Sequence, residues 1–253
     1  MNYLGTYTLF KKEVLRFIKV YNQTLIAPVI TGLLFLAVFQ LAIGERVNAV
    51  GEVPFGVFMA SGLIIMTVVQ QAFANTSSSL IMGKVLGNII DYLMPPLSAG
   101  EIIFAMVMAS VLRGLLIAML AGIAIYIFVP FSVYSFPIMI FYLFFAAMML
   151  ALLGLFAGVF AESFDQMAAV TSYIITPLAF LSGTFYSIKN LPGIWAEIAY
   201  FNPFFYMIDG FRYGMTGYAD GNLAIGAITL LSCIVFLWVA VYIMISKGYR
   251  LKT

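Results

Sequence analysis

Six long apolar windows determine what this chain can fold into. Each is long enough to cross the roughly 30 Å hydrocarbon core of a bilayer as an α-helix. They contain almost no charge and cover approximately residues 25–43, 57–75, 103–129, 137–161, 167–186 and 223–246. Hydrophobic residues make up 64% of the sequence and charged residues only 9%, against about 25% in soluble domains. We therefore predict a single all-α integral membrane domain, residues 1–253, with six transmembrane helices.

The Lys and Arg residues predict the orientation of these helices. An even number of spans places both termini on one side of the membrane, and the cytoplasmic side normally carries the excess of basic residues. With both termini inside, eight of the twelve Lys and Arg residues are cytoplasmic and three, Arg46, Lys189 and Arg212, are external. We therefore predict cytoplasmic termini. The first apolar window follows a basic stretch and lacks a cleavage-site pattern, so we expect no removed signal peptide.

Residues 6–22 predict an amphipathic helix ahead of the first span. Apolar and aromatic residues recur on one helical face and basic residues on the other. The apolar face contains Tyr7, Phe10, Val14, Phe17 and Tyr21, and the basic face contains Lys12, Arg16 and Lys19. Such a helix lies in the plane of the lipid headgroups. It is either only a positively charged anchor or also a contact for a cytoplasmic partner.

Residues 80–98, here called the elbow, form the largest segment predicted on the cytoplasmic side. Apolar residues recur in it at four-residue spacing, and Pro95-Pro96 ends any helix. The recurring residues are Ile81, Val85, Ile89 and Leu93. An apolar ridge on a short helix outside the membrane normally packs against another surface, so we expect a partner protein there. The alternative is a helix that rests on its own bilayer.

Arg113 is the one basic residue predicted inside a span. If the third span begins near Ile103, the charge lies about 15 Å deep at 1.5 Å per residue and needs a partner. If the hydrocarbon begins near Ser110, the side chain reaches the headgroups instead. In either placement, Glu162 and Asp165 are the nearest acidic candidates for pairing.

Small residues and a proline mark the fourth and fifth spans. Gly154 and Gly158 form a G-x-x-x-G face in the fourth span, which we interpret as a helix-packing seam rather than a dimerisation motif. Thr176-Pro177 and Gly183 loosen the backbone hydrogen bonding of the fifth span near its outer half.

Residues 187–222 form an external segment that is unusually apolar for a loop. Leu191-Pro192-Gly193 and Asn202-Pro203 divide it into two pieces of short-helix length. We predict that these pieces re-enter the outer leaflet as a cap, because backbone at that depth must pack on protein or line a wet cavity. The alternative is an aromatic belt. Asp209 and Arg212 are spaced for an i,i+3 bridge, although two unrelated charges explain them equally well.

The sequence lacks the residues that most membrane enzymes need. There is no histidine and no G-x-S-x-G motif, and no aspartate pair lies within the apolar windows. Gly83-Lys84 is followed by Val85 and has no upstream glycine, so it is not a phosphate-binding loop. We therefore predict a membrane protein that is not an enzyme and takes its energy from another chain. A scaffold without ATPase coupling and a secondary transporter are the alternatives, and an acyl or glycosyl transferase is a more distant one.

Residues 176–214 resemble the most recognisable stretch of the permeases of type-2 ABC exporters. The shared pattern is P-L-x-F-L-S-G-x-F-Y, then L-P, then N-P and D-G-F-R. The nearer likeness is to the branch that holds the YadH and nodulation-factor exporter permeases. Further similar stretches are QTLIAPVIT at 23–31, SGLIIM at 61–66, ANTSSSLIMGK at 74–84 and VLRGLL around Arg113. The resemblance thus covers nearly the whole chain.

This resemblance implies the type-2 exporter fold and a half-transporter. Two copies of the permease pair with two ATPase subunits, which bind ATP and Mg, so this chain itself needs no cofactor. The other expected partners are membrane lipids, and no nucleic acid is expected. The implied function is export of an amphipathic, lipid-linked or hydrophobic solute from the cytoplasm or inner leaflet across the bacterial inner membrane.

The resemblance also assigns roles to three sets of residues in this chain. The ATPase-coupling set in the elbow is Ile81, Gly83, Lys84, Val85, Asn88, Ile89, Asp91, Leu93, Pro95 and Pro96. The polar side chains expected near the translocation path, which hydrogen bonding between helices explains equally well, are Gln70, Gln71, Asn75, Thr171, Thr176 and Ser182. The external cap set is Trp195, Asn202, Pro203, Asp209 and Arg212.

Overall fold

The computed structural model describes residues 2–43 and 49–250. Arg46 and Lys252, which enter the orientation prediction, lie outside these ranges. The helices are α1 (Tyr3–Lys19), α2 (Ala27–Ile43), α3 (Phe55–Val85), α4 (Ile90–Leu93), α5 (Ala99–Phe128), α6 (Phe136–Phe160), α7 (Phe164–Val170), α8 (Thr176–Phe180), α9 (Ile194–Phe201), α10 (Pro203–Thr216) and α11 (Leu223–Ser246). Two π-helical segments, Asn22–Ile26 and Thr171–Ile175, precede α2 and α8. Strands β1 (Ala49–Val50) and β2 (Val53–Pro54) form a short antiparallel pair.

The expectation of an all-α membrane protein is confirmed. Within the described residues, five helical stretches are long and apolar enough to cross a bilayer: Asn22–Ala42, α3, α5, α6 and α11. The fifth predicted window, residues 167–186, instead contains an interrupted helix made of α7, the π-helical segment and α8. Pro177 has no N–H for the carbonyl of Tyr173 four residues earlier, which explains why regular α-helix does not run through this window.

Helix α3 extends well beyond the window that the sequence predicts for it. Its 31 residues would span about 46 Å, and they include the polar run Asn75–Ser79. Asn75, Thr76, Ser77 and Ser79 are buried. The side chains of Asn75, Thr76 and Ser79 hydrogen-bond to neighbouring helices, and Ser77 bonds to a carbonyl of α3 itself. The polar run is thus satisfied inside the protein, and the helix continues where the apolar pattern stops.

Helices α3 and α6 meet closely at the centre of the bundle. A side chain at Gly154 would collide with the Thr76 hydroxyl and the Phe73 carbonyl, and one at Gly158 would approach Leu80 at 3.2 Å. The Thr76 hydroxyl donates to the carbonyl of Ala151 at 2.8 Å. This contact agrees with the interpretation of the G-x-x-x-G face as a packing seam within the chain.

The amphipathic start packs on the bundle through a face that coincides only in part with the predicted apolar face. Phe17 belongs to both, and Phe10 packs against the core. The buried residues of α1 are Thr6, Leu9, Glu13 and Phe17. Tyr7 and Tyr21, from the predicted apolar face, are exposed. A contact of this exposed face with lipid headgroups stays a prediction. By contrast, α2 leaves most of its apolar surface uncovered in the single chain, since only 11% of the apolar window within Asn22–Ala42 is buried.

Candidate functional site

A buried carboxylate joins α1 to the elbow. The Glu13 side chain is only 1% exposed. One of its oxygens accepts hydrogen bonds from the Ser79 hydroxyl at 2.9 Å and the Tyr92 hydroxyl at 3.0 Å. The other oxygen forms an ion pair with Arg16 Nε at 3.1 Å. Both carboxylate oxygens of Glu13 therefore have hydrogen-bond or ion-pair partners inside the protein.

Tyr92 is the elbow residue of this cluster. Burial, together with the negative charge of Glu13, raises the pKa of its hydroxyl to about 12. The hydroxyl thus keeps its proton at physiological pH and remains a hydrogen-bond donor. The ammonium group of Lys12 lies 4.1 Å from the centre of the Tyr92 ring, so α1 contacts the tyrosine on its face as well.

Arg16 carries this network from α1 into α3. Its Nη2 atom donates to the carbonyl of Asn75 at 2.7 Å and to the Asn75 side-chain oxygen at 3.0 Å, and Nη1 donates to Ser78 at 3.2 Å. The Asn75 amide nitrogen donates to the Ser110 hydroxyl in α5 at 2.7 Å. The sequence pattern placed Arg16 on the basic outer face of its helix, but the structure turns it inward.

Arg113 is held by neutral oxygens. Its Nη1 atom donates to Asn75 at 3.2 Å, and its Nη2 atom donates to the Thr24 carbonyl at 3.2 Å and to the Gln71 side-chain oxygen. Pro28 has no N–H to offer the Thr24 carbonyl, four residues earlier, which makes this carbonyl a ready acceptor. Arg113 Nε is buried without a hydrogen-bond partner.

The predicted acidic partners of Arg113 are therefore wrong. Glu162 and Asp165 are exposed, and neither forms a salt bridge with Arg113 in the described part of the chain. The side-chain amides of Asn75 and Gln71 satisfy the guanidinium instead. A search for acidic residues missed this arrangement because amide oxygens leave no charge pattern in the sequence.

The predicted apolar ridge of the elbow does not exist as an exposed surface. Ile81 and Ile89 are buried in the core, whereas Val85 is exposed. The Leu93 side chain lies outside the described part of the structure. The exposed apolar residues come one position later, again at four-residue spacing. These residues, here called the exposed elbow face, are Met82, Leu86, Ile90 and Met94. Both series are apolar, so the spacing alone does not decide which one packs inside.

The other elbow residues divide between buried and exposed positions. Lys84 is buried and donates to the carbonyls of Val159 at 2.5 Å and Ala161 at 3.1 Å, at the end of α6. Gly83 approaches the Tyr92 ring, where an added Cβ atom would lie 3.3 Å from it. Helix α4 has only four residues, and a turn in which Gly87 has a φ of 71° separates it from α3. Besides Val85, the exposed residues of the predicted coupling set are Asn88, Asp91, Pro95 and Pro96.

A polar groove lies between α2 and α3. It has a volume of about 260 Å³, and we call it the α2–α3 groove. Two of the predicted path residues, Gln70 and Gln71, line it, and Thr31 and Thr67 are polar wall residues that the sequence analysis did not select. The full lining is Gln23, Ala27, Pro28, Thr31, Gly32, Phe35, Leu63, Met66, Thr67, Gln70 and Gln71.

The other predicted path residues are not gathered at this groove. Asn75 is fully buried in the network described above. Ser182 is buried too, donates to the Leu178 carbonyl and accepts from the Asn202 amide at 2.8 Å. Thr171 and Thr176 are half-buried along the interrupted fifth helix. The structure thus assigns Asn75 and Ser182 to hydrogen bonding between elements.

Asn202 and Pro203 begin α10 in the external segment. The Asn202 side chain accepts from the N–H of Phe204 at 3.0 Å and caps the helix, while Pro203 occupies its first turn. Helix α10 is largely buried, and Gly214 lets it approach the backbone of Met139 closely. In contrast, Trp195 in α9 is exposed.

The predicted bridge between Asp209 and Arg212 is wrong. Asp209 accepts from the N–H groups of Asp220 at 2.8 Å and Gly221 at 2.9 Å. Arg212 donates to Ser61 at 3.2 Å and to the Gly183 carbonyl at 2.7 Å, and its guanidinium lies 3.7 Å from the centre of the Phe58 ring. Each charge has its own buried partners, so Asp209 orders the loop after α10, and Arg212 joins α10 to α3.

The described residues contain no group of three histidine, cysteine, aspartate or glutamate side chains that could hold a metal ion.

Comparison with known proteins gives matches over most of the chain. Residues 5–216 match the family described as ABC-2 type transporter. The inner membrane transport permease YadH of Escherichia coli strain K12 is 36% identical over 246 residues, which cover 97% of this chain and 96% of YadH. Nodulation protein J of Rhizobium leguminosarum bv. viciae is 26% identical over 77% of this chain and 76% of its own length. Nodulation protein J of Neorhizobium galegae is 23% identical over 90% of this chain and 88% of its own length.

Proposed function

Because this chain belongs to the ABC-2 type transporter family, we propose that it is the permease subunit of an ATP-driven exporter in the bacterial inner membrane. Its solute is amphipathic, lipid-linked or hydrophobic and leaves from the cytoplasm or the inner leaflet. The near absence of charge from five long apolar helices supports a membrane role. The lack of a phosphate-binding loop means that ATP hydrolysis comes from a separate ATPase subunit, which also binds Mg.

The observation that carries the proposal is the exposed elbow face. Met82, Leu86, Ile90 and Met94 expose large apolar side chains on a segment outside the predicted membrane spans, and Met94 is 79% exposed. Such a surface fits a groove on a partner protein. Tyr92 connects it through Glu13 and Arg16 to α3, so a force applied at the elbow reaches the helices that line the α2–α3 groove.

The working exporter in this proposal contains two copies of the permease and two ATPase subunits. The uncovered apolar surface of α2 supports a second copy as its neighbour, because lipid alone would leave the polar α2–α3 groove open to the bilayer. Both termini and the elbow then face the cytoplasm, where the ATPase is located.

The test is to purify the tagged permease together with the ABC ATPase encoded beside its gene and to measure ATP hydrolysis in proteoliposomes. We expect a stable complex in which the permease changes the rate of ATP hydrolysis. A permease that forms no complex with this ATPase and leaves its rate unchanged would contradict the proposal.

A further inference from the structure

Arg113 carries a positive charge that the described part of the chain leaves uncompensated. Its three hydrogen-bond acceptors are the neutral oxygens of Asn75, Thr24 and Gln71. The neighbouring cation, Arg16, already pairs with the cluster's carboxylate, Glu13. Arg113 is 5% exposed, and a buried guanidinium without a carboxylate is costly. The cluster of these charged side chains therefore has a net charge of +1 close to α3.

This charge lies directly behind the wall of the α2–α3 groove. Gln71 both accepts a hydrogen bond from Arg113 and lines the groove. Thr24, a second acceptor, is adjacent in sequence to Gln23, another wall residue. The side chain of Gln71 thus separates the Arg113 guanidinium from the groove, at the end of the groove that the glutamines line.

The groove is polar at this end and apolar at the other. Gly32 lies opposite Thr67, where an added Cβ atom would be 3.6 Å from the threonine hydroxyl. Because α2 and α3 run in opposite directions around this point, the register sets Gln23 toward the Gln71 end of the groove and Phe35 toward the Leu63 end. Such a polarity gradient matches an amphiphile with its headgroup beside Gln71 and its chain beside Phe35.

We infer that the α2–α3 groove binds the phosphate-bearing headgroup of an anionic amphiphile, with Arg113 as the residue that selects for negative charge. The inference deepens the proposed function by naming the class of solute that the groove takes. Its volume of about 260 Å³ is below the range of about 300–1,000 Å³ for pockets that enclose a drug-sized ligand, which suits a headgroup rather than a whole lipid. Displacement of the Gln71 oxygen by a phosphate oxygen replaces a neutral hydrogen bond to Arg113 with a charge-assisted one.

The matched variants are Gln71→Glu and Gln71→Met. Glutamate has the same length as glutamine and supplies Arg113 with an internal carboxylate, so this variant folds with its charge already compensated. Methionine has a similar length but leaves the charge of Arg113 uncompensated. The pair therefore separates the charge of the site from the shape of the groove wall.

The experiment measures binding to the purified permease in detergent, without an ATPase, by thermal shift and by titration. The probes are dioctanoyl phosphatidic acid, dioctanoyl phosphatidylcholine and inorganic phosphate. We expect the natural sequence and Gln71→Met to bind phosphatidic acid in preference to phosphatidylcholine. In Gln71→Glu, we expect binding of phosphatidic acid to weaken about tenfold or more, the effect of losing one charge-assisted hydrogen bond.

Three outcomes would overturn the inference. The first is equal binding of phosphatidic acid by the natural sequence and Gln71→Glu, and the second is no preference for phosphatidic acid over phosphatidylcholine. The third is an equal effect of inorganic phosphate at the same concentration, which would mean that the site takes free phosphate rather than an amphiphile. Because no ATPase is present, failure here leaves the exporter proposal intact, and failure of ATPase coupling leaves this binding result intact.

Discussion

The hydroxyl of Tyr92 in the elbow donates a hydrogen bond to the buried carboxylate of Glu13 in α1, at 3.0 Å. This bond joins the segment predicted to contact the ATPase with the helix that begins the chain. Since Glu13 also pairs with Arg16, which in turn binds Asn75, a continuous chain of polar contacts connects the elbow to α3.

Replacing Tyr92 with phenylalanine tests this link. We expect Tyr92→Phe to lower the stability of the purified permease by about 1–2 kcal/mol, because Glu13 loses one of its buried donors. Thermal unfolding in detergent measures the effect, with Tyr3→Phe in the exposed part of α1 as the control. Unchanged stability in Tyr92→Phe would show that the hydrogen bond contributes nothing.

The pH dependence of that effect follows from the pKa of Tyr92. Its value in the folded protein, about 12, is above the ordinary value of 10.0, so the contribution is complete below pH 10 and is lost as the pH rises from there toward 12. We therefore expect the difference between the natural sequence and Tyr92→Phe to stay constant from about pH 6 to pH 9. A difference that falls steeply across this interval would contradict the assigned protonation state.

Lys84 is expected to stabilise the end of α6 rather than to bind the ATPase. Lys84→Met leaves the Val159 and Ala161 carbonyls without their donor, at a cost of about 1–2 kcal/mol. Hydrogen exchange of the residues around Ala161 should become faster, whereas the control Lys247→Met on an exposed residue should change nothing there. Normal stability together with lost ATPase binding would instead support the role implied by the family resemblance.

We expect the permease to lose stability when Asp209 and Arg212 of α10 are exchanged for each other. In a bridge, the double variant Asp209→Arg/Arg212→Asp would preserve the interaction. Because each residue has separate buried partners, we expect the exchange to destabilise the permease by more than about 3 kcal/mol and by more than either single alanine variant. If the exchanged form were about as stable as the natural sequence, the result would support a direct bridge between Asp209 and Arg212.

Arginine substitutions distinguish the two apolar series of the elbow. We expect Leu86→Arg and Ile90→Arg to leave the fold of the permease intact and to weaken its complex with the ATPase by about tenfold or more, because each places an unpaired charge in the contact. Ile89→Arg buries the charge in the permease core and should unfold it locally. Equal effects of all three variants on stability would refute the division into buried and exposed series.

The sequence was sufficient to predict an integral membrane protein, because long apolar windows can be read from the sequence itself and tertiary contacts hardly alter them. It was not sufficient to choose between Ile81-Val85-Ile89-Leu93 and Met82-Leu86-Ile90-Met94. Both series have the same spacing and the same apolar character. The choice depends on the packing of Ile81 and Ile89 in the core and on the interruption at Gly87, neither of which a periodic pattern encodes.

The polar residues were harder to place because a sequence does not show which groups are neighbours in space. Acidic partners were expected for Arg113 and Arg212, yet both bind neutral oxygens, several of which belong to the backbone. Gln70 and Gln71 do line a groove, as their polarity within a span suggested. Asn75 and Ser182 have the same polarity but hold helices together, and only the three-dimensional contacts separate these two roles.

In the proposed exporter, a separate ATPase acts on this permease through the exposed elbow face. Cys233 is the only cysteine in the sequence, so a Cys233→Ser background permits a single reporter at Ile90→Cys, with Val133→Cys in the turn between α5 and α6 as the control. Cross-linking to a surface cysteine introduced in the ATPase is the most direct measurement. The expected result is a nucleotide-dependent cross-link from position 90 and none from position 133. A cross-link from position 133 only, or labelling of position 90 from outside the cell, would contradict the claim.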